Sequence, residues 1–297
     1  MVNVSKNTRQ CLTVLAFISP WIIGFVFLVG GPMIATFILS LSRYDVLSAP
    51  KFIGLTNYIR LFTQDEVFIK SVNNTIIYTI FNVPLSVFGS LFIASMLNNN
   101  LPGKNVFRTA LYVPSITSGI AMAMLWMWIF DPGVGVVNEI LRGLGVVNVP
   151  LWFKSPEWVK PTMVLIKVVE IGGARMIIFL AALQNVPGDL YEVAYLEGAS
   201  SWTRFRKITL PMISPIVLLN VITAFIDSFM VFVNAYSITD GGPLNESMFL
   251  VLYIYKNAFT NLKMGYASAI ASLFLVVIFV LTFIQMRMSK KWVHYAE

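Results

Sequence analysis

Long apolar runs separated by short polar segments dominate this sequence. A transmembrane helix needs about 20 largely apolar residues, and six segments of the chain meet that requirement. The runs are too long for strands and lack the alternation of apolar and polar positions that a β-barrel requires. The pattern therefore predicts an all-α, polytopic membrane protein in which residues 1–297 form a single transmembrane domain. The predicted transmembrane helices span approximately residues 12–41, 72–97, 109–130, 161–184, 212–236 and 264–287.

The first apolar run follows two basic residues, Lys6 and Arg9, as the core of a secretory signal also does. A signal has an apolar core of about 7–15 residues and then a small-residue cleavage site. The run from Leu12 to Leu41 is much longer and has no such ending. It is therefore interpreted as a retained transmembrane helix.

Composition supports a membrane location. Hydrophobic residues make up 57% of the 297 residues and charged residues 12%, and the mean hydropathy is +0.77. A soluble domain of this length cannot hide so much apolar surface from water. The basic residues behind the formal charge of +7 lie between the apolar runs. This placement favours loops beside lipid headgroups over a nucleic-acid-binding patch.

The chain has a single cysteine, Cys11, and a single histidine, His294. A disulfide within the chain and a zinc site built from cysteine and histidine are therefore excluded. A Ser-His-Asp or Cys-His catalytic unit would have to use His294, which lies among charged groups. We expect no catalytic residues and no metal site, and a role other than that of an enzyme.

The distribution of basic residues predicts the orientation of the chain. An even number of spans places both termini on the same side of the membrane. The loops on that side carry ten Lys and Arg residues, and the opposite loops carry nine. The first set of loops is shorter, so its density of basic residues is higher. By the positive-inside rule, both termini are expected to be cytoplasmic.

The segment 185–211, between the fourth and fifth predicted spans, contains signals for two short helices. Pro187 suits the start of a helix, and Gly198 permits the left-handed backbone that ends one. Ser200 or Ser201 can cap the second helix. The segment is predicted to be a helix–turn–helix outside the bilayer, with an ordinary amphipathic loop on the membrane as the alternative. The apolar side of the second helix would consist of Trp202, Phe205 and Ile208.

Within this segment, Glu192-Val-Ala-(x)3-Gly198-(x)9-Ile208-(x)-Leu-Pro211 resembles the EAA motif of ABC importer permeases. The family pattern is Glu-Ala-Ala-(x)3-Gly-(x)9-Ile-(x)-Leu-Pro, usually with Asp just before the Gly. Val193 replaces an Ala and Glu197 replaces the usual Asp, and both changes are mild. The match is specific, because six positions recur at fixed spacing between two predicted spans. The matching residues are Glu192, Ala194, Gly198, Ile208, Leu210 and Pro211.

Other segments resemble one branch of that family, the permeases for carbohydrate uptake. The Gly-Gly-Pro after the fifth span is similar to that of the first of the two dissimilar permeases in such systems. One position departs from the branch, because Val168-Val-Glu-Ile stands where the fourth span often carries a Trp. Substrate is expected near that position. The segments that carry the resemblance are Lys51–Tyr58, Arg108–Pro114, Ala182–Pro187 and Thr239–Pro243.

The resemblance implies a pore-forming subunit of an ATP-driven importer of sugar or oligosaccharide. The coupling loop, residues 185–211, would dock in a cleft of a cytoplasmic ATPase and link ATP-driven closure to helix movement. The chain lacks the Gly-(x)4-Gly-Lys-Ser/Thr phosphate loop, so ATP and Mg would bind to the partner and no cofactor to this chain. The residues expected to couple to the ATPase are Glu192, Ala194, Glu197, Gly198, Ala199, Ile208, Leu210 and Pro211.

The resemblance also implies partners and a location. The pore would be completed by a second, dissimilar permease and driven by two copies of the ATPase. An extracytoplasmic solute-binding protein would deliver the substrate. The expected location is the cytoplasmic membrane of a bacterium or an archaeon, with several spans in the lipid bilayer. No nucleic-acid partner is expected.

Ionisable residues inside the fourth and fifth predicted spans mark a second candidate site. An ion in hydrocarbon costs several kcal/mol, so these groups should face the bundle interior or water. One interpretation is a structural network that pairs Lys167 with Glu170 and Arg175 with Asp227. The other is a hydrophilic passage for substrate, and both can hold together. The expected substrate-path residues are Lys167, Glu170, Arg175, Thr223, Asp227, Ser228 and Asn234.

Further polar and aromatic residues accompany these groups. Asn220 lies on the same predicted face of the fifth span as Asp227. Aromatic side chains could stack on sugar rings, although such residues more often form interfacial belts or core. The candidates for stacking are Tyr78, Trp126, Trp128 and Tyr236.

Three alternatives stay open. Lys167 and Arg175 permit a glycerol-phosphate ester or an acidic oligosaccharide as the transported substrate. An ion-coupled secondary transporter would favour inverted repeats and helices broken at matching positions, and it would not explain segment 185–211. An intramembrane enzyme needs a catalytic constellation, and the lone Cys11 and His294 argue against one.

Overall fold

The computed structural model describes residues 6–99 and 102–294, which are mainly helical. The only sheet among these residues is an antiparallel pair of short strands, β1 (Ser42–Arg43) and β2 (Lys51–Phe52). Short π-helical or 3-10 segments join several helices. The helices are α1 (Lys6–Phe25), α2 (Gly31–Ser40), α3 (Thr56–Thr63), α4 (Glu66–Leu97), α5 (Lys104–Ile116), α6 (Gly119–Ile129), α7 (Val136–Gly143), α8 (Val159–Val169), α9 (Ala174–Gln184), α10 (Gly188–Leu196), α11 (Ser201–Arg204), α12 (Leu210–Met212), α13 (Ser214–Phe229), α14 (Leu250–Tyr255) and α15 (Met264–Ser289).

Three predicted spans are confirmed as helices that are long and apolar enough to cross a membrane, within the described residues. The first is Thr13–Ser40, in which a π-helical turn at Val26–Gly30 joins α1 to α2. The other two are α4 and α15, with 32 and 26 residues. α4 begins after Asp65, whose side chain accepts a hydrogen bond from the backbone N–H of Phe68 at 2.8 Å. This bond satisfies one of the donors that every helix start leaves unpaired.

The other three predicted spans are interrupted in the structure, so none of them is a single straight helix. Segment 109–130 consists of α5 and α6, which are bent by 103°. Segment 161–184 consists of α8, a 3-10 turn at Glu170–Gly172, and the 11-residue α9. At the start of segment 212–236, α13 is bent by 72° relative to the stretch Ser201–Met212. By length and composition alone, the described residues offer three spans, or up to five if each bent pair is one span.

The breaks have local causes in the backbone. Thr117 and Ser118 are extended, with ψ angles of 147° and 128°, so α5 does not continue into α6. Gly173 is also extended, with a ψ of −152°. A Cβ atom at Gly172 would lie 2.6 Å from Cβ of Leu111. Glycine at this position therefore lets α5 approach the break between α8 and α9 directly.

The chain divides into two compact units, the first of which comprises residues 1–64 and 254–276. In this unit Asn57, at the start of α3, is buried. Its Nδ2 donates to the backbone carbonyls of Ser40 and Ser42 at 2.8 and 3.0 Å, which ties α3 to the end of α2. The residues paired between the two strands are Ser42 with Phe52 and Arg43 with Lys51.

The second unit comprises residues 65–253 and 277–297. Its main packing element is α4, which lies against α8, α9 and α13. Phe179 and Met176 of α9 are fully buried in this interface. Close packing of this kind positions the broken helices against one long, continuous helix. The core consists of Val87, Leu91, Ala94, Leu97, Met176, Phe179, Leu180, Leu183, Ile213 and Ala224.

Candidate functional site

A polar stripe runs along the face of α4 that meets the broken helices. Tyr78, Asn82, Ser86 and Ser90 are spaced four residues apart, which places them on one side of the helix. All four are buried, and buried polar groups need hydrogen-bond partners. A search for apolar runs and ionisable residues misses this stripe. Its regular spacing of four was the signal that could have found it.

The break between α8 and α9 is held by this stripe. Ser90 donates its hydroxyl hydrogen to the backbone carbonyl of Ile171 at 2.8 Å. A break in a helix leaves carbonyls without intrahelical partners, and in a membrane protein such groups have to be satisfied internally. A Cβ at Gly89 would lie 2.7 Å from the Ile171 side chain. Glycine at position 89 therefore lets α4 approach closely enough for the Ser90 bond to form.

Lys167 and Glu170 form the first of two ion pairs beside the break. Nζ of Lys167 lies 2.6 Å from Oε2 of Glu170. The other carboxylate oxygen, Oε1, accepts a hydrogen bond from Nε1 of Trp126 at 3.2 Å. The carboxylate is thus oriented by α6 while it neutralises the lysine. This is one of the two pairs predicted by the sequence.

Arg175 and Asp227 form the second predicted pair. Nη2 of Arg175 lies 2.5 Å from Oδ2 of Asp227, and Nη1 donates to Oγ of Ser86 at 2.8 Å. The planar guanidinium suits this use, because it presents several donors in a fixed arrangement. The Arg175 side chain is 21% exposed and that of Asp227 is 69% exposed. One arginine therefore connects α9, α4 and α13, and the carboxylate is the more open member of the pair.

The two ion pairs line a cavity of about 710 Å³. The ionisable groups in its wall are two cations and two carboxylates, so their formal charges cancel. Two polar atoms of lining residues, Oδ1 of Asn82 and Nε of Arg175, are buried and have no hydrogen-bond partner among the described residues.

Most of the residues predicted for the substrate path meet in this cavity, but Ser228 does not line it. Ser228 is buried behind the lining, where its hydroxyl accepts from Nδ2 of Asn82 at 2.7 Å. It also donates to the carbonyl of Ala224, so it holds Asn82 in place. Asn220 is buried as well and donates to the carbonyl of Ile216. The predicted residues that line the cavity are Lys167, Glu170, Arg175, Thr223, Asp227 and Asn234.

Of the four aromatic candidates for stacking on sugar rings, one lines the cavity. Tyr78 lines the cavity, whereas Trp126, Trp128 and Tyr236 do not. Trp126 lies in a buried aromatic cluster and reaches the site through its bond to Glu170. Trp128 is exposed, and Tyr236 stacks on a neighbouring ring. The described residues also contain no group of three or more His, Cys, Asp or Glu side chains that could hold a metal ion.

Segment 185–211 contains two helices joined by a tight turn. α10 ends at Leu196, and Gly198 has a φ of +77°, the left-handed conformation predicted for it. The N–H of Ala199 donates to the carbonyl of Ala194 at 2.9 Å, and the N–H of Gly198 donates to that of Tyr195 at 3.0 Å. This pair of bonds is the Schellman motif, which closes a helix C-terminus. Ala194, Gly198 and Ala199 therefore have backbone roles in the turn.

The second helix of this segment is capped as the sequence predicts. Oγ of Ser200 accepts a hydrogen bond from the backbone N–H of Thr203 at 3.2 Å. The hydroxyls of Tyr191 and Thr209 are 2.8 Å apart and join the two halves of the segment. These contacts give the turn a defined shape, which a surface that transmits movement needs.

The outer side of this segment exposes large apolar side chains. Leu196 is 84% exposed, and Val193, Tyr195 and Trp202 are exposed as well. Trp202 stacks on Phe205 with ring centroids 5.8 Å apart. A rigid, exposed apolar surface of this kind is typical of a protein interaction site. Of the predicted coupling residues, those exposed are Glu192, Glu197, Gly198 and Leu210, and those half-buried are Ala194, Ala199, Ile208 and Pro211.

Broken helices thus surround a polar cavity, and segment 185–211 exposes apolar side chains on two short helices. Residues 86–294 match the family described as the inner membrane component of binding-protein-dependent transport systems. The chain belongs to this family of ABC transporter permease subunits, as its EAA-like motif predicts. Subunits of this kind are not themselves enzymes.

Individual relatives support the assignment. The probable ABC transporter permease protein YesP of Bacillus subtilis is 42% identical over 283 residues, which cover 94% of this chain and 91% of that protein. The lactose transport system permease protein LacF of Rhizobium radiobacter is 35% identical over 240 residues, covering 79% and 80%. A solved bacterial alginate ABC transporter, in complex with an alginate pentasaccharide-bound periplasmic protein, has a similar fold, with a TM-score of 0.85. That match covers 96% of each chain at 24% identity and shows the fold alone.

Proposed function

We propose that this chain is one of two pore-forming subunits of an ATP-driven importer for a neutral sugar or oligosaccharide. An extracytoplasmic binding protein delivers the substrate. The observation that carries the proposal is the cavity of about 710 Å³, whose wall combines uncharged polar side chains with two ion pairs whose formal charges cancel. The relative LacF, named as a lactose transport permease, supports a saccharide as substrate.

The electrostatics of the cavity favour an uncharged substrate. Each cation in its wall already lies within hydrogen-bonding distance of a carboxylate. An acidic sugar would have to displace Glu170 or Asp227 to reach Lys167 or Arg175, and separating a partly buried pair is costly. A neutral saccharide can instead donate a hydroxyl hydrogen to the exposed hydroxyl of Thr223, which lines the cavity, and leave both pairs intact.

The topology proposed here keeps six spans in one transmembrane domain of residues 1–297, with both termini cytoplasmic. Three of these spans are the broken segments. Irregular backbone at membrane depth is tolerated where it lines a cavity, and Thr117 and Gly173 at two of the interruptions do so. The protein lies in the cytoplasmic membrane of a bacterium or an archaeon.

A second, dissimilar permease completes the pore. The helix Thr13–Ser40 supports this part of the proposal, because its most apolar 18-residue window is 0% buried. A helix exposed on all sides can be covered by lipid on one side and by another subunit on the other. The cavity lining of this chain then forms one half of the passage.

The coupling loop, residues 185–211, docks on a cytoplasmic ATPase, of which the complex contains two copies. ATP and Mg bind to the ATPase, and no cofactor binds to this chain. The exposed apolar side chains around Trp202 and Leu196 provide the contact surface. The Schellman turn at Gly198 fixes the angle between the two short helices, so movement of the ATPase is transmitted to α13.

ATP hydrolysis by the complete complex tests the proposal. The complex of both permeases, the ATPase and the binding protein is reconstituted, and hydrolysis is measured with neutral saccharides, acidic oligosaccharides and glycerol 3-phosphate. Stimulation by a neutral saccharide is expected. If only the acidic oligosaccharide or only glycerol 3-phosphate stimulates hydrolysis, that solute is the substrate class and the proposal of a neutral saccharide is wrong. Hydrolysis that responds to no solute, or transport without ATP, would contradict an ATP-driven importer.

A further inference from the structure

The first unit contains a second cavity, of about 490 Å³, that takes no part in the proposed passage. It lies between the segment that follows β1, helix α3 and the start of α15. Its lining includes three cations, Arg43, Arg60 and Lys263, and a single carboxylate, Asp45. Three positive charges against one negative charge leave a formal excess of +2. The cavity is therefore an anion-attracting site.

Two of the cations are available to a ligand. Arg43 lies 3.7 Å from Asp45, and both side chains are largely exposed, so this pair is weak. The guanidinium carbon of Arg60 lies 5.3 Å from the centre of the Tyr266 ring, which orients the arginine without neutralising its charge. Lys263 is exposed. Arg60 and Lys263 thus present uncompensated positive charge to the cavity.

The frame that holds these cations is rigid. Asn57 is buried and donates to the carbonyls of Ser40, at the end of α2, and Ser42, in β1, and it also lines the cavity. The N–H of Gly265 donates to the carbonyl of Tyr44 at 3.0 Å. A Cβ at Gly265 would collide with the carbonyl oxygen of Ser42. α15 therefore starts in direct contact with the hairpin segment, and the cavity walls are fixed before any ligand arrives.

The position of the cavity points to the membrane surface. It lies where the helix Thr13–Ser40 ends and where α15 begins, and both helices are apolar enough to cross a membrane. Beside it, Leu55, Ile59 and Phe62 form an exposed apolar stripe at spacings of four and three along α3. A short helix with such a stripe and a basic residue on its other side lies in the lipid–water interface. Arg60 is that basic residue.

We propose that this cavity binds the phosphate-bearing headgroup of an anionic phospholipid. The phosphate oxygens accept charge-assisted hydrogen bonds from Arg60 and Lys263. The acyl chains lie along the exposed stripe of α3 and the apolar surface of the helix Thr13–Ser40. In the topology proposed above, the lipid belongs to the extracytoplasmic leaflet. This lipid site does not depend on which sugar the importer carries.

A lipid fits this site better than a free phosphate does. A free phosphate would use the cations but would leave Leu55, Ile59 and Phe62 exposed to water beside it. A phospholipid satisfies the charge and covers the apolar stripe in a single molecule. A phospholipid and a free phosphate present the same phosphate oxygens, so a competition experiment between them distinguishes the two.

Native mass spectrometry of the intact complex tests the proposal. The delipidated complex is titrated with phosphatidylglycerol and, separately, with phosphatidylcholine, and the bound lipids are counted. The wild-type complex is expected to retain one phosphatidylglycerol that the Arg60→Gln/Lys263→Gln variant binds about tenfold more weakly or not at all. Lys51→Gln is the matched control, because it removes an exposed cation of the same unit that does not line the cavity. Its binding of phosphatidylglycerol should equal that of the wild type.

Competition with inorganic phosphate decides the source of the phosphate. Millimolar phosphate is expected to leave phosphatidylglycerol in place. Displacement of the lipid by inorganic phosphate would overturn the lipid assignment, and so would equal retention of phosphatidylglycerol by the double variant and the wild type. If the double variant does not assemble, the single Lys263→Gln variant is compared, since its side chain is exposed and its backbone bond to Asn257 is unaffected. Loss of sugar-stimulated ATP hydrolysis with normal lipid retention would count against the transport proposal only.

Discussion

The two cations of the transport cavity depend on their carboxylates to different degrees. Arg175 has a second partner in Ser86, at 2.8 Å. Lys167 lies 2.6 Å from Glu170, whose other oxygen is bound by Trp126. A charge inside a protein is tolerated where its partners are oriented and complete. Arg175 is therefore bound from two helices, whereas the carboxylate of Glu170 is the only side-chain partner described above for Lys167.

The Arg175–Asp227 pair can be tested by removing both charges together. The Arg175→Leu/Asp227→Leu variant leaves no unpaired charge, so we expect the complex to assemble and to keep its basal ATP hydrolysis. Transport should fall by about tenfold or more, because the polar side chain of Arg175 and the open carboxylate of Asp227 are lost from the cavity wall. Uptake in vesicles and size-exclusion chromatography measure the two properties. Full recovery of transport with unchanged sugar preference would reduce these residues to a structural pair.

Gly198 is the residue whose conformation matters most in the coupling loop. Its φ is +77°, and a Cβ there would meet nothing within 4 Å. Replacement by alanine therefore adds backbone strain of about 1–2 kcal/mol without a clash. We expect Gly198→Ala to assemble and to hydrolyse ATP, but to transport several-fold less sugar per ATP.

Gly188→Ala is the control for that experiment. Gly188 lies at the start of α10 in the same segment, and a Cβ there also meets nothing within 4 Å. It does not have the positive φ of Gly198. Equal coupling ratios for the two variants would show that the turn at Gly198 does not transmit movement.

The broken helices explain how far the sequence predicts the fold. Long, uninterrupted apolar runs identified the helices at 12–41, 72–97 and 264–287, because a run of this length satisfies its backbone hydrogen bonds in a membrane by forming a helix. The other three runs are equally apolar, and hydropathy does not register a change in backbone direction. Gly172-Gly173 was a visible signal for one break, whereas Thr117-Ser118 is a common pair with no special preference. The break between α8 and α9 also packs against α4, which lies far away in the sequence.

The candidate site was predictable mainly from its charged residues and the polar face of the fifth span. Ionisable groups in an apolar run are conspicuous, so both ion pairs followed from spacing and charge. Asn82, Ser86 and Ser90 are uncharged and do not stand out in an apolar run. In the structure, Ser90 donates to the carbonyl of Ile171 at the break and Ser86 accepts from Arg175. Asn82 donates to Ser228. Their role depends on which face of α4 meets α9 and α13, and this needs the tertiary structure.

Gly172 provides a test of the packing at the break. An alanine there would place a Cβ 2.6 Å from Cβ of Leu111 and 2.9 Å from its carbonyl oxygen. Overpacking of this kind typically costs about 1–3 kcal/mol. Gly172→Ala is therefore expected to lower the melting temperature of the purified complex. Gly143→Ala is the control, because a Cβ at Gly143 meets nothing within 4 Å, and it should leave the melting temperature unchanged or higher.

A charged network links the starts of α4 and α8 to the segment after α13. Glu246 lies 2.6 Å from Nζ of Lys160 and 2.8 Å from Nζ of Lys70. The hydrogen bond from Lys160, and then that from Lys70, lowers the pKa of the Glu246 carboxyl below its ordinary value of 4.5. A carboxyl whose pKa is lower in the folded state stabilises the fold above its ordinary pKa. That stabilisation is lost as the pH falls through the lowered value.

The Glu246→Gln variant is therefore expected to be less stable than the wild type, by about 1–2 kcal/mol at pH 7. The difference should be constant down to about pH 5 and should shrink below pH 4.5. Melting curves of the complex between pH 3.5 and 7 measure it. Glu139→Gln, which removes an exposed pair with Arg142, should change the melting temperature little at any pH. A stability difference for Glu246→Gln that grows on acidification would contradict the network.

The whole chain combines three surfaces with separate tasks. In the proposed importer, the cavity between α4, the broken helices and α13 accepts the substrate, and the coupling loop receives movement from the ATPase. The exposed apolar helices are then covered by lipid and by the second permease. Under this proposal each surface is completed by a partner.

ATP-driven uptake by the complete complex tests the central claim most directly. Proteoliposomes that contain both permeases and the ATPase are loaded with ATP and supplied with the binding protein and a labelled solute. We predict that a neutral saccharide accumulates inside above its external concentration, that it does so only with hydrolysable ATP, and that an acidic oligosaccharide of the same length does not. Accumulation without ATP, or of the acidic oligosaccharide or glycerol 3-phosphate in place of every neutral saccharide tested, would contradict the account.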